Sequence, residues 1–143
     1  MDDLDENLVS LLTSNARLPV AVLAKRLAVA RSTVQARLDR LESNGVIAGY
    51  SVRMGEGAQA RRLMATVLIQ VEPRATAAVV QRLRSMPQVI RAVTTSGRFD
   101  LVLTVAAATT EELDQTLDSL GAVPGVLSSE SMIHLTSRID RGA

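Results

Sequence analysis

Val34, Leu38 and Leu41 recur at helical spacing; turned inward, they leave Ser32, Ala36, Arg40 and Ser43 on the opposite side, flanked by Arg31, Thr33, Gln35 and Arg37. The chemistry available to that surface is recognition. Short side chains at Ser32, Thr33 and Ala36 let a helix approach closely, and the Gln35 amide and Arg40 guanidinium fit hydrogen-bonding edges of bases in a major groove. Arg37 on this helix and Lys25 on the one before it supply charge for phosphates, Arg37 also being placed to brace the head, and Arg31 adds to the cationic flank. Catalytic chemistry is poorly supplied. There is no cysteine, which excludes disulfides, thiolate metal sites and cysteine nucleophiles, and there is one histidine, His134. A lone imidazole cannot build a zinc site with carboxylates alone, and any serine–histidine–aspartate arrangement would have to run through it. No metal or cofactor is expected. His134 sits among Met132, Ile133 and Leu135 and reads as a half-buried structural residue; Gly55-Glu56-Gly57 lacks the Gly-Lys-Ser/Thr of a phosphate loop.

The elements that must position these residues follow from periodicity. Leu4, Leu8, Leu11 and Leu12 mark a first helix, with Asp3 and Glu6 spaced as a capping box. Pro19 opens a second, short helix through Val20, Leu23, Ala24 and Leu27, and the third ends at Asn44-Gly45. Two helices across a tight turn, carrying the basic residues, describe a helix-turn-helix. Val46 to Met54 is β-prone and reads as an exit strand, and Met54 to Arg62 (MGEGAQARR) as a linker. Beyond it the rhythm changes to strand (Leu63–Val71), helix (Thr76, Val79, Val80, Leu83), strand (Val89–Thr95). It then repeats as strand (Leu101–Ala106), a helix capped by Thr109 with Glu112 and ended by Gly121, and strand (Val126–Leu135). Both helices hand over through x-Pro-x-Val, at Met86-Pro87-Gln88-Val89 and Val123-Pro124-Gly125-Val126. Two βαβ units of this length predict a ferredoxin-like sandwich with both helices on one face of a four-stranded sheet. The uncovered face predicts a partner, most simply a second copy.

Composition agrees. A chain of 143 residues buries roughly 68% of its unfolded surface and needs no staple. The net charge of +1 conceals an asymmetry: between Asn15 and Arg53 seven basic residues face two acidic ones, a local +5 suited to a polyanion. With Tyr50 and Phe99 the only aromatics, a stacking platform for single strands is excluded, and double-stranded DNA is the expected partner. The opening MDDLDENLVS resembles no secretory leader and no run approaches a membrane span, so a soluble, unprocessed cytoplasmic protein is expected.

The residues Leu4-Asp5, Arg17, Leu23-Ala24, Val34, Arg37, Arg40-Leu41-Glu42, Gly45-Val46-Ile47 and Gly49-Tyr50 closely resemble the head motif of the leucine-responsive regulatory protein/AsnC (feast/famine) family. Gly97-Arg98-Phe99-Asp100, followed by an apolar strand, resembles that family's Gly-x-Tyr/Phe-Asp signature; the likeness spans about residues 4 to 139. Where the family often has glycine in the turn and serine as the cap of the third helix, this chain has Ala28 and Ala30, leaving Ser32 as a later cap. The resemblance implies an α+β protein. A winged-type helix-turn-helix head would occupy residues 1–53, a linker 54–62, and an effector-binding, oligomerising ferredoxin-like βαββαβ domain 63–143. It further implies a transcription regulator that forms dimers and, from these, tetramers or octamers. A small amino acid would bind between subunits at Ser96, Gly97, Arg98, Phe99 and Asp100, with Asp100 accepting from its ammonium. An effector-independent, nucleoid-type architectural protein uses the same machinery without sequence preference. A sirohaem decarboxylase-like enzyme shares the layout, but the histidine cluster it relies on is missing here.

Overall fold

The computed structural model of the protein describes residues 1–59 and 62–141. Along the chain run helices α1 (Asp3–Ser14), α2 (Val20–Leu27), α3 (Arg31–Ser43) and the short α4 (Glu56–Gln59). Then follow β1 (Leu63–Val71), α5 (Thr76–Arg84), β2 (Val89–Thr94), β3 (Leu101–Ala107), α6 (Thr110–Gly121) and β4 (Val126–Ile133). They fall into two compact units, Met1–Val52 and Arg53–Ala143.

In the first unit, Leu8, Leu23, Ala24, Val34, Leu38 and Leu41 form an aliphatic core, covered by Leu11, Leu12, Leu18, Leu27, Val29 and Ile47. The periodicity that predicts three helices is the periodicity that builds this core. The capping box of α1 lies one residue earlier than the spacing of Asp3 and Glu6 implies. Asp2 is the N-cap and accepts from the Asp5 N–H at 3.0 Å, while the Asp5 carboxylate accepts from the Asp2 N–H at 3.3 Å. The shift has a tertiary cause, because it turns Asp5 inward against α3. Between α2 and α3, Ala28 adopts φ 55°, ψ 43°, the left-handed conformation that glycine takes without strain. Ala30 is the N-cap of α3 and offers no side-chain acceptor, and Ser32 does not replace it.

Val46–Met54, expected as a strand, joins no ladder: a strand needs a neighbour, and the sheet of this chain takes none there. Ile47 folds back, its N–H donating to the Leu41 carbonyl at 2.9 Å, and the Tyr50 hydroxyl donates to Glu42 at 2.8 Å. Val52 and Met54 are left exposed. The expected linker contains α4, and its residues 60 and 61 lie outside the described residues.

The second unit is a four-stranded antiparallel sheet in the order β2-β3-β1-β4, each βαβ connection stepping over a neighbouring strand. Side chains on β1 alternate strictly. Ala65, Val67, Ile69 and Val71 are buried with Leu101, Leu103, Val105 and Ala107 of β3 beneath Val79 and Leu83 of α5 and Leu113 and Leu120 of α6. Both helices therefore share one face. The two halves also leave their helices alike: the Val89 N–H donates to the Met86 carbonyl at 3.0 Å and the Val126 N–H to the Val123 carbonyl at 3.1 Å. Thr109 caps α6 by accepting from the Glu112 N–H, but the Glu112 carboxylate reaches the Ala108 N–H rather than that of Thr109. That bond, and then one from Gln88, keeps Glu112 below the usual carboxylate range. The helix runs through Gly121 and is capped at Ala122.

The register defines what the other face carries. Leu68 lies opposite Val102 and Glu130, Thr66 opposite Thr104 and Met132, and Val93 opposite Val102. Among the described residues no element covers these side chains. His134 follows β4, exposed rather than half-buried, and its Nε2 lies 2.7 Å from the Thr66 hydroxyl.

Candidate nucleic-acid interface and ligand loop

The residues expected to meet DNA all belong to the first unit. Arg31, Ser32, Gln35, Ala36 and Arg40 are exposed along α3, Thr33 and Arg37 are half-buried at its flank, and Lys25 is exposed on α2. With Val34, Leu38 and Leu41 in the core, Ser32, Gln35, Ala36 and Asp39 make the outward stripe, and the Gln35 amide donates to Asp39 at 2.8 Å. The two arginines on the flank turn toward α1. Arg37 donates to Asp2 and, at 3.2 Å, to Asp5; Arg40 donates to the other oxygen of Asp5 at 2.9 Å. Burial of the Asp5 carboxyl, 1% exposed, opposes its charge, but the bonds from Arg37, the Asp2 N–H and Arg40 outweigh that and hold its pKa below the usual carboxylate value. The Arg37 bond, and then the Asp5 N–H, pull Asp2 from 3.8 down to about 2.

Reading the sequence for function leaves Asp2 unmentioned and brings in Asp5 only as part of the head motif, with no role assigned. A signal was present: an acidic pair three apart at one helix start, and a basic pair three apart on the helix that must cross it. By contrast Arg17, Lys25, Arg26 and Arg31 have no carboxylate within ion-pair distance among the described residues.

In the second unit, Ser96–Asp100 form the loop that joins β2 to β3. Gly97 takes φ 110°, open to glycine alone without strain. Ser96, Gly97 and Arg98 are exposed, and the Arg98 guanidinium lies 5.2 Å from the Phe99 ring centroid, a cation–π contact. The loop is pinned at its base. The Asp100 N–H donates to the Ile69 carbonyl and its Oδ2 accepts from the Val71 N–H, both at 2.8 Å, and the Thr95 hydroxyl donates to the Phe99 carbonyl at 2.8 Å. Gln70 adds a second tie, donating to the Arg98 carbonyl at 2.8 Å while accepting from Ser128 at 2.7 Å. One oxygen of Asp100 is thus engaged within the fold. Gln70, unremarkable in the run LMATVLIQV except as a polar residue at an alternating position, carries the loop's link to β4. Among the described residues no acidic or histidine cluster could hold a metal ion, and no helix is long and apolar enough to cross a membrane.

Comparison with known proteins agrees with both units. Residues 1–42 match the AsnC-type helix-turn-helix domain and residues 64–143 the Lrp/AsnC ligand binding domain. The transcriptional regulator LrpA of Mycobacterium tuberculosis is 32% identical over 142 residues, covering 99% of this chain and 95% of LrpA. The fold superposes on E. coli AsnC with a TM-score of 0.88 at 23% identity, covering 100% and 97% of the two chains. It superposes with a TM-score of 0.86 at 22% identity on a Neisseria meningitidis transcriptional regulator solved in complex with L-Met, covering 98% and 93%. Its relatives are transcriptional regulators rather than enzymes, and with a helix-turn-helix head joined to a matching ligand-binding sandwich, this chain belongs to the Lrp/AsnC family of DNA-binding transcription regulators.

Proposed function

We propose that this regulator reads double-stranded DNA in the cytoplasm as a dimer, through the outward stripe of α3, and answers to a small amino acid held between subunits at the 96–100 loop. The exposure of Ser32, Gln35 and Ala36 on one stripe, with Arg31 exposed beside it, supports the DNA side of this reading. Gln35 is assigned to a base edge and Arg31 with Lys25 to phosphates; Thr33 lines the flank. The base contact anticipated for Arg40 is given up, because its guanidinium is drawn to Asp5 and away from the stripe. Gln35→Ala should narrow the affinity ratio between a preferred site and random duplex by roughly five- to a hundredfold, the worth of one good base contact. Arg31→Ala should weaken both duplexes alike.

The residues divide accordingly. Residues 1–53 form the reading head, 54–62 the connection, and 63–143 the module that assembles and senses. Self-association rests on the uncovered sheet face, with dimers as the unit from which tetramers or octamers are built. The effector side rests on an exposed, glycine-bearing loop in a ligand-binding domain of this family, and the Neisseria regulator of the same fold holds L-Met. With Asp100 Oδ2 engaged by the Val71 N–H, its other oxygen would accept from the ligand ammonium, the amides near Gly97 would meet the ligand carboxylate, and Phe99 would form the wall. A thermal-shift screen of the twenty amino acids on the wild type and Asp100→Asn tests this. Asparagine keeps an acceptor for the Val71 N–H and removes the charge, so the effective amino acid should bind roughly ten- to a hundredfold more weakly to the variant. If no amino acid raises the wild-type melting temperature, the protein regulates without this class of effector.

A further inference from the structure

The acid–arginine cluster between α1 and α3 sits where the head would meet phosphates, and its charge is internally balanced. Two guanidiniums, Arg37 and Arg40, face two carboxylates, Asp2 and Asp5. An arginine neutralises a DNA phosphate only if its guanidinium can leave its partners within the protein. Here Asp5 is 1% exposed and engages both arginines, whereas the Arg40 and Asp2 side chains are 54% and 55% exposed. Beside them lies a cavity of about 450 Å³ lined by Asp2, Asp5, Arg40, Leu41, Asn44 and Val46, so a released guanidinium has room to turn.

We propose that Asp2 and Asp5 are specificity determinants: they withhold Arg37 and Arg40 from the DNA backbone and so limit the sequence-independent part of binding. Each phosphate a protein neutralises steepens the fall of log affinity with log salt by about 0.9 and strengthens binding to every sequence alike. Two further phosphate contacts would raise affinity for the whole genome and dilute what the α3 stripe reads from base edges. Arg17, Lys25, Arg26 and Arg31 of the head, in no ion pair among the described residues, then carry the backbone contacts. This inference rests on α3 facing the duplex, which the Gln35 and Arg31 variants test separately.

The variant that opens the clamp without harming the helix is Asp2→Asn. Asparagine caps a helix as well as aspartate does. Its carbonyl can keep the bond from the Asp5 N–H now made by Oδ1, while the amide NH₂ replaces Oδ2 and meets Arg37 donor to donor. Asp3→Asn is the control: it removes the same charge one residue on, from a side chain in no ion pair among the described residues. Binding of the full chain to a random-sequence duplex is followed between roughly 50 and 200 mM salt. Asp2→Asn should bind several-fold tighter at the low-salt end and steepen the salt slope by about 0.9 per head engaged, about 1.8 for a dimer with both heads on the duplex, more than Asp3→Asn does. Asp2→Ser, which also caps, should behave the same way, and the effect should vanish in an Arg37→Ala background. Equal effects of the Asp2 and Asp3 variants, weaker binding by Asp2→Asn and Asp2→Ser, or an effect that survives Arg37→Ala would overturn the proposal.

Discussion

Two alanines stand in the turn of the helix-turn-helix where the backbone asks for something else. At φ 55° the Cβ of Ala28 crowds the following carbonyl, a strain of about 1–2 kcal/mol that glycine relieves. Glycine also loosens the unfolded chain, which works the other way by about 0.4–1 kcal/mol. Relief of strain outweighs that loosening, so Ala28→Gly should stabilise the head by about 0.5–1 kcal/mol in denaturant titration. Ala30→Ser should add an acceptor at the start of α3 and stabilise by about 1 kcal/mol. The positions are two apart and share the turn, so the double variant need not equal the sum. A loss of stability on Ala28→Gly would mean that the strain of the left-handed turn is smaller than the cost of loosening the unfolded chain.

At the scale of elements, α1 and α3 are joined by charge as well as by Leu8, Val34 and Leu41, and that joint responds to acid. Both carboxylates have folded pKa values below their unfolded ones, Asp2 falling from 3.8 to about 2. A depressed carboxylate contributes stability that is present above the unfolded pKa and lost as pH falls through the folded one. Stability should therefore decline between about pH 4 and pH 2, and Asp2→Asn, with no charge to lose there, should show a shallower decline. Melting curves at steps of pH across that window check this; parallel declines would show that Asp2 is not coupled to folding. In the sheet, Asp100 and Gln70 tie the 96–100 loop to β1. An effector that moved the loop would thereby pull on the strand between β3 and β4.

At the scale of the molecule, half of the sheet is unfinished. Four strands of six to nine residues, about 4.8 Å apart and about 3.3 Å per residue, present a face of roughly 20 by 25 Å, or about 500 Å². A stable interface buries about 800 Å² per partner, so the face alone falls short. Tyr50, Val52 and Met54, in the segment expected to be a strand, are further exposed apolar side chains of the chain. Light scattering should find no monomer of 15.3 kDa at micromolar concentration. Leu68→Glu places a charge at the middle of the face, opposite Val102 and Glu130, and should shift the protein toward monomer at least tenfold in dissociation constant. Unchanged assembly in that variant would place the interface elsewhere.

What the sequence by itself determined was everything carried by short-range rhythm. Helical spacing in residues 4–41, strict alternation in LMATVLIQV, the two x-Pro-x-Val exits and the proline and asparagine–glycine boundaries specify the elements and their order, because burial of one face imposes those periods locally. The inward face of α3, Val34, Leu38 and Leu41, was legible for the same reason, whereas of the outward residues read from the spacing only Ser32 and Ala36 lie on the stripe that Gln35 and Asp39 complete. The tertiary structure decided what depends on partners distant in the chain. It moved the capping box to Asp2 and Asp5, whose arginines lie more than thirty residues on, drew Arg40 to Asp5, and bound one Asp100 oxygen to Val71. It also left Val46–Met54 without a ladder. A strand or an ion pair is completed by a group that only folding brings near; the acidic and basic pairs three apart hint at the ion pairs, but residue spacing does not say which oxygen meets which guanidinium.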